Sequence, residues 1–314
     1  MTDERPQRLM LLDTASLYFR AFYGLPDSLR ALDGTPVNAV RGLLDFVATL
    51  ASAYRPNALA ACWDNDWRPQ WRVDLLPTYK AHRVAETVPG GSDVEETPDP
   101  LEVQVPVIAE ALRLLGVAVV GCDGYEADDV IGTLATTWEG PVDVVTGDRD
   151  LFQLVDDDKP VRVLYTARGV GKHERIDAAV LREKYAVEPG QYVDFAVLRG
   201  DPSDGLPGVA GIGDKTAATL LRDHGDLAGI RAAAANWRTT MTPRVRTNIV
   251  DGAAYLDAAV RVVSVACDID DVTGTDLRLH AIDDAQRAIF EAFAEKWGLG
   301  GASERVLAAL DAVT

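Results

Sequence analysis

The chain is poor in several residue types, and each shortage removes a class of chemistry. Only three cysteines occur among 314 residues: Cys62, Cys122 and Cys267. They are odd in number and far apart, which excludes a disulfide framework and a CxxC metal site and points to a reducing compartment. The four histidines, His82, His173, His224 and His280, show no HExxH-like spacing. No apolar run approaches membrane length, and the opening MTDERPQRLMLLD lacks the hydrophobic core of a signal peptide. A cytoplasmic protein with no membrane partner is expected. Lysines are few and arginines many, so phosphate contacts would come mainly from Arg, the better bidentate donor.

Acids are what the chain has in excess. The formal net charge is −18, which taken alone argues against a polyanionic partner. A total of that kind is a weak witness when many acids are gathered in one place. With 47% apolar and 25% charged residues the composition is that of a folded globular protein, one large domain or two of ordinary size.

The acids recur at particular points. Leu9-Met10-Leu11-Leu12 is a continuous apolar run suited to a strand buried on both faces, and it ends at Asp13. Ala58 to Trp63 is a second such run and ends at Asp64. Val117 to Val120 is a third and precedes GYEADDVIG (124–132), which crowds Glu126, Asp128 and Asp129 where a helix begins. Asp143 to Thr146 is a fourth and stops at Gly147-Asp148-Arg149-Asp150. A helical pattern runs from Val40 through Leu43, Leu44, Val47, Leu50 and Ala51. Strands alternating with helical segments indicate a parallel sheet with helices on both faces, whose sites form outside the carboxyl ends of the strands. One Asp at a strand end is ordinary loop or N-cap chemistry, but the same feature at several ends predicts an acidic basin. Two charges about 4 Å apart repel by roughly 1 kcal/mol in water and roughly 4 at an effective dielectric near 20. Either the helix N-terminus favours the acids of GYEADDVIG, or a multivalent cation sits among them.

Between Tyr79 and Leu101 the composition turns to Gly, Pro, Ser and acids, which marks a long exposed connection. Its front edge carries a basic and aromatic cluster, Arg68, Arg72, Tyr79, Lys80, His82 and Arg83 beside Trp67 and Trp71. Beyond residue 173 the signals become helical, with short helices expected over 178–185 and 191–199 and another around 285–297. Between them, Leu206-Pro-Gly-Val-Ala-Gly-Ile-Gly213 leads into Lys215-Thr216. A glycine hairpin opening a helix exposes backbone N–H groups to an anion. This pattern is the helix-hairpin-helix arrangement that grips phosphates without reading bases.

With these pieces assembled, the sequence resembles the bacterial 5′-nuclease family, the 5′-to-3′ exonuclease and flap endonuclease domain of bacterial DNA polymerase I and its stand-alone relatives. The resemblance spans roughly residues 8 to 300 and rests on five ordered motifs: LLDTASLYFRAFY, CWDNDWRPQWRVDLLPTYKAHR, GYEADDVIGTLA, VVTGDRDLFQLV and RGDPSDGLPGVAGIGDKTA. It implies an α/β, PIN-like core with a mostly parallel sheet flanked by helices, plus a helical helix-hairpin-helix region. The expected divisions are a core over 1–172 with a gateway loop at about 77–100, a duplex-binding region over 173–265, and a C-terminal segment over 266–314 packing back on the core. An independent nuclease, acting as a monomer, is expected.

The resemblance implies metal ligands at Asp13, Asp64, Glu126, Asp128, Asp129, Asp148, Asp150, Asp201 and Asp204. It places Tyr79, Lys80 and Arg83 at the scissile phosphate, with Tyr79 stacking on a displaced base. Arg20 and Arg41 are further phosphate candidates, and Gly208, Gly211, Gly213, Lys215 and Thr216 would hold the duplex with help from a potassium ion. This chain departs from the family at His82, Gly205, Thr14 and Trp71 and in a longer, more acidic connection after Val84, but no carboxylate is lost. Two magnesium or manganese ions would activate water and neutralise phosphoryl charge without a histidine base. Asp128, Asp129, Asp148, Asp13 and Asp64 would serve the first ion, and Asp150, Asp201 and Asp204 the second. The partner would be DNA with a 5′ flap or 5′ end beside a duplex, RNA-primed strands included. A PIN-type ribonuclease and a catalytically silent DNA-binding protein are the alternatives. Matched RNA and DNA flap substrates, with and without manganese, separate them.

Overall fold

The structure is a computed structural model that describes residues 7–88 and 93–314. Eight strands are present among these residues: β1 (Leu9–Asp13), β2 (Ala58–Trp63), β3 (Val84–Glu86), β4 (Val94–Glu95), β5 (Ala118–Gly121), β6 (Val142–Thr146), β7 (Val161–Tyr165) and β8 (Glu174–Ile176). The helices are α1 (Thr14–Gly24), α2 (Asn38–Tyr54), α3 (Gln70–Leu75), α4 (Asp99–Glu102), α5 (Val105–Leu114), α6 (Ala127–Thr137), α7 (Ala178–Tyr185), α8 (Tyr192–Arg199), α9 (Asp214–His224), α10 (Leu227–Ala235), α11 (Pro243–Asp251), α12 (Ala253–Val263), α13 (Asp284–Lys296) and α14 (Gly301–Asp311).

Six strands form one sheet in the order β5-β2-β1-β6-β7-β8, parallel throughout except for the β7–β8 pair. The central strand is buried along its whole length, and its side chains alternate between two cores. Leu9 and Leu11 pack with α6 and the helical region, whereas Met10 and Leu12 pack with α1, α2, α5, α13 and α14. This is why LMLLD reads as an unbroken apolar run: both faces of its sheet are covered. The four expected strands form at β1, β2, β5 and β6. The sequence reading omitted β7 and β8, and β8 joins the sheet although it lies beyond residue 172.

The chain returns to the core near its end. Leu277 O accepts from Leu59 N (2.9 Å), Leu279 N donates to Asn57 O (2.9 Å), and α14 packs against α2. Among the described residues no helix is long and apolar enough to cross a membrane.

The gateway segment is braced. After a short turn of helix over Ala81–Arg83, β3 and β4 pair as an antiparallel ribbon; residues 89–92 of this loop lie outside the described residues. Trp67 Nε1 donates to Asp93 O (2.7 Å), and Arg68 pairs with Asp93 while donating to Tyr79 O (2.6 Å) and Pro77 O (3.1 Å). The front edge read as part of an exposed connection is therefore partly interior: Arg68, Arg72, Tyr79 and Lys80 are all buried. Their cations are spent on backbone carbonyls and carboxylates, which is the only way such groups tolerate burial.

Candidate active site

Three strands of the sheet deliver an acid to the same edge. Asp13 ends β1 and caps α1, accepting from Ser16 N (3.1 Å) and from the Thr146 hydroxyl (2.6 Å). Asp64 follows β2 and accepts from Ala127 N (2.8 Å) at the start of α6. Asp148 follows β6; its N–H donates to Thr146 Oγ1 (2.8 Å) and its Oδ1 accepts from Asp150 N (2.9 Å). Because β2, β1 and β6 are neighbours, these acids converge on a cavity of about 390 Å³. Glu126 and Asp128 from the head of α6 and Asp201 from the helical region complete its acidic lining, together with Glu95 from β4. Asp150 and Asp204 line a small adjoining recess with Glu126 and Asp128, and Asp150 Oδ1 is buried there without a hydrogen-bond partner.

Burial, with crowding added for most of them, raises the proton affinity of these groups. Withdrawal from water, with the charges of Asp64 and Asp148 adding to it, pushes Asp13 up to about 7 against the pull of its Thr146 and Ser16 hydrogen bonds. Burial drives Asp128 and Asp150 well above the ordinary carboxylate range, helped by Asp13 and Asp148 for the first and by Asp148, Asp204 and Asp201 for the second. Asp148 rises by burial and then by Asp204. Glu95, which the sequence reading did not select, is raised by burial against the opposing charges of Arg83 and Lys80.

Cations are interleaved with the acids. Lys80 pairs with Glu126, which also accepts from the Tyr79 hydroxyl (2.8 Å) and Arg72 (3.2 Å). Burial alone would lower the Lys80 ammonium, but Glu126 and its neighbours hold it well above the ordinary range. Burial of Glu126 outweighs Lys80 and Arg72, so that carboxyl rises. Arg83 reaches Asp204 (2.8 Å) and Ser203 O (2.6 Å), and Lys80 N donates to Asp204 O (3.0 Å), so the gateway foot rests on the 201–205 turn. Gly205 makes that approach possible: its φ is +71°, and a Cβ would lie 2.0 Å from Thr78 O. Arg149 (3.7 Å) and Arg199 (3.6 Å) approach Asp201. Arg149 and Arg199 stood inside the quoted motifs VVTGDRDLFQLV and RGDPSDGLPGVAGIGDKTA; Glu95 carried no sequence signal.

Four expected residues lie outside the acidic cavity. Asp129 is fully buried and turned from the cavity, held by both guanidinium nitrogens of Arg72 (2.7 Å each) and closing the capping box of α6 with Glu126 N (3.1 Å). Adjacent helix positions point about 100° apart, and here Asp128 faces the cavity while Asp129 faces Arg72. Asp129 is a structural anchor in this structure. Tyr79 is only 5% exposed, with its hydroxyl on Glu126, and offers no open face for a base. Arg41, in the first turn of α2, lies beside Gly300 and lines neither cavity described here. Arg20 donates to Ala167 O (3.2 Å) and lines a second cavity, of about 970 Å³, that shares Ser16 and Phe19 with the acidic one.

The glycine hairpin starts beside Asp201, whose N–H donates to Leu206 O (3.0 Å). Gly208 has φ +67°, its N–H donates to Tyr255 Oη (3.1 Å), and a Cβ there would meet Arg199 backbone at 2.6 Å. Gly211 is also left-handed, and Gly213 caps α9. Lys215 is exposed and Thr216 half-buried on the first turn.

Among the described residues no three carboxylate, imidazole or thiol groups stand close enough to enclose a metal ion by themselves. The acids ring the cavity rather than meeting at a point. A lining of oxygen donors with room for water, and one orphaned carboxylate oxygen, fits a hard ion that keeps part of its hydration shell.

Residues 8–186 match the family described as 5′-3′ exonuclease, N-terminal resolvase-like domain, and residues 187–285 match the 5′-3′ exonuclease, C-terminal SAM fold. The chain is 59% identical over 304 residues to a 5′-3′ exonuclease of Streptomyces coelicolor, covering 96% of this chain and all of that protein. It is 50% identical to a 5′-3′ exonuclease of Mycobacterium tuberculosis, covering 96% and 98%. A DNA polymerase I from the same species is 43% identical over 72% of this chain and 24% of its own length. Among solved structures, the T5 5′-exonuclease with divalent metal ions (zinc) bound superposes with a TM-score of 0.64 at 18% identity, over 92% of this chain and 99% of that one. The catalytic core of Rad2 in complex with DNA substrate gives 0.57 at 15% identity, over 98% and 92%. Identities this low speak to the fold alone.

Proposed function

The chain belongs to the 5′-3′ exonuclease family, and from that premise we propose that it cuts DNA at a 5′ end or at the base of a single-stranded 5′ flap, with divalent cations held in the acidic cavity. The observation that carries this reading is the convergence of Asp13, Asp64, Asp128, Asp148 and Asp201, from separate parts of the chain, on one cavity beside Lys80 and Arg83. Asp13, Asp64, Asp128 and Asp148 are the residues that would hold one ion. Asp201, Asp204 and Asp150 would hold a second on the helical side. Magnesium or manganese, when bound, supplies an activated water and neutralises phosphoryl charge. A potassium ion at the hairpin belongs to the same reading, and its carbonyl partners would have to be found beside the engaged Ala210 O and Val209 O.

The remaining roles follow from the chain's own groups. Lys80 and Arg83 project cations over the cavity at the foot of the gateway, where they would meet the non-bridging oxygens of the scissile phosphate and stabilise charge that grows there. Glu126 orients Lys80 and is in turn fixed by Arg72 and Tyr79, so its work is positional. Phe19, Trp67 and Tyr165 supply apolar wall and narrow the entry of bulk water. The hairpin would hold duplex phosphates without reading bases, which gives specificity for shape rather than sequence. The strand cut beside that duplex could be DNA or an RNA primer, and the protein would act as a monomer.

The test is Asp148→Asn on an end-labelled 5′-flap duplex with added manganese, beside a matched RNA flap. Cleavage should fall by at least about a hundredfold, the scale of lost electrostatic stabilisation, while duplex affinity stays within a few fold. Turnover near the parent rate would remove Asp148 from the site.

A further inference from the structure

A second basic surface lies on the helical region, outside the cavity and beyond the hairpin. Residues 227–250 contain four arginines and no Asp, Glu or Lys, the longest acid-free stretch in a chain with 49 acids. They fold as α10, a connection, and α11. Two of the four arginines are occupied: Arg231 pairs with Asp257 (2.6 Å), and Arg246 Nε donates to Ala234 O (2.7 Å). The other two, Arg238 and Arg244, are exposed, and neither makes an ion pair among the described residues.

Their placement is fixed relative to the hairpin. Asn248 Nδ2 donates to Ala210 O (2.6 Å), in the middle of the GVAGIG turn, so α11 lies directly against it. Arg244 precedes Asn248 by four residues on the same helix and therefore shares its face, one turn nearer the helix N-terminus. Arg238 lies beyond, in the connection, with its guanidinium 4.6 Å from the centroid of the Trp237 ring. Trp237 is 74% exposed. An indole under a guanidinium holds the fork flat and weakly hydrated, ready for a bidentate anion. Lys215 at the start of α9, Arg244 on α11 and Arg238 before it are thus exposed cations on the segments that flank the hairpin.

We propose that these cations form a phosphate track: the connection before α11 and the exposed flank of α11 continue the grip of the hairpin along the same duplex. The partner is a double-stranded nucleic-acid backbone, because the contacts on offer are two unpaired guanidinium forks and one flat aromatic edge with no acceptor among them. Guanidinium forks match the paired oxygens of backbone phosphates, which recur along any duplex and carry no sequence information. The inference rests on the nuclease reading only for the identity of the duplex; the track itself is a binding surface.

The experiment uses the full chain and two 5′-flap substrates that differ only in the duplex held by the hairpin, about 8 and about 20 base pairs, with affinity followed against salt. The parent protein should bind the longer duplex more tightly. In the double variant Arg238→Ala and Arg244→Ala that advantage should disappear, and the salt slope on the long duplex should become shallower by about 2, near 0.9 per lost phosphate contact. Affinity for the short duplex and its rate of cleavage should be unchanged. Arg222→Ala, which removes an exposed arginine already paired with Asp223, should leave the slope alone. The proposal is overturned if the double variant matches the parent on both duplexes, if it loses equally on both, or if Arg222→Ala lowers the slope as much. Failure of the parent to cleave the short flap would sink the nuclease reading and leave the length dependence to decide the track.

Discussion

Asp13→Asn should stabilise the metal-free protein increasingly as pH rises, while removing a group its proposed chemistry requires. Asp13 is 6% exposed, and its folded carboxyl is pushed up to about 7, with burial as the largest cause. In the unfolded chain an Asp titrates near 3.9. The folded state therefore binds the extra proton over this interval, so native stability falls as pH rises through the folded value. Above pH 5.5 the unfolded group is ionised throughout, and the folded group gives up its proton by pH 8.5. About 1.5 pH units of that interval lie below the folded value, and at 1.36 kcal/mol each the parent loses about 2 kcal/mol relative to the variant. Asparagine keeps the acceptor for Ser16 N and disturbs the Thr146 bond by an amount that does not vary with pH. The slope of the difference is thus the quantity to read. Asp128 and Asp148 share the titration with Asp13, so the step belongs to the group, and removing one charge relieves the others. Urea unfolding in chelator across pH 5.5 to 8.5, well above the sequence pI near 4.6, measures it. Added magnesium should then stabilise the parent more than the variant, because an ion that binds only the native state adds its binding free energy. Parallel pH curves for the two proteins would refute the claim that burial raises the proton affinity of Asp13.

Arg72→Met should destabilise by about 3–5 kcal/mol, since it strands the carboxylates of Asp129 and Glu126 in the interior; a urea midpoint within the error of the parent would mean that those acids are neutral when folded. Lys215→Ala should weaken binding to unrelated duplexes alike and make the salt slope shallower by about 1. A loss confined to particular sequences, seen by titration on several duplexes, would show that this residue reads bases.

The sequence made the architecture legible because each buried strand announces its end with a charge. LMLLD, ALAACWD and VVTGD carry the switch from burial to water in a single step, and a parallel sheet puts those steps on one edge. The glycine hairpin was legible for a related reason: GVAGIG needs left-handed backbone at Gly208 and Gly211 that side chains resist. What failed was phase. Whether Asp128 or Asp129 faces the cavity depends on how α6 rolls against the sheet, and that is fixed by Arg72, whose carbonyl partners Val262 and Ser264 lie at the end of α12. Nothing within GYEADDVIG contains that information. Tyr79 failed likewise, because its burial depends on Glu126 and on a gateway stapled by Arg68 through contacts outside its own segment. β8 was missed because ERI is a three-residue edge strand with one buried side chain.

The charge balance then ceases to be a paradox. Nine acids were expected at the site, half of the formal −18. The structure matches several of them with Lys80, Arg72, Arg83, Arg149 and Arg199. At physiological salt a charge is screened beyond about 8 Å, so an approaching duplex responds to what lies within that distance. At the hairpin it meets Lys215, and over 227–250, where acids are absent between Asp226 and Asp251, it meets Arg238 and Arg244. The chain can therefore be strongly acidic as a whole and still hold a polyanion, because its negative charge is concentrated where cations would neutralise it and thinned where phosphates would lie.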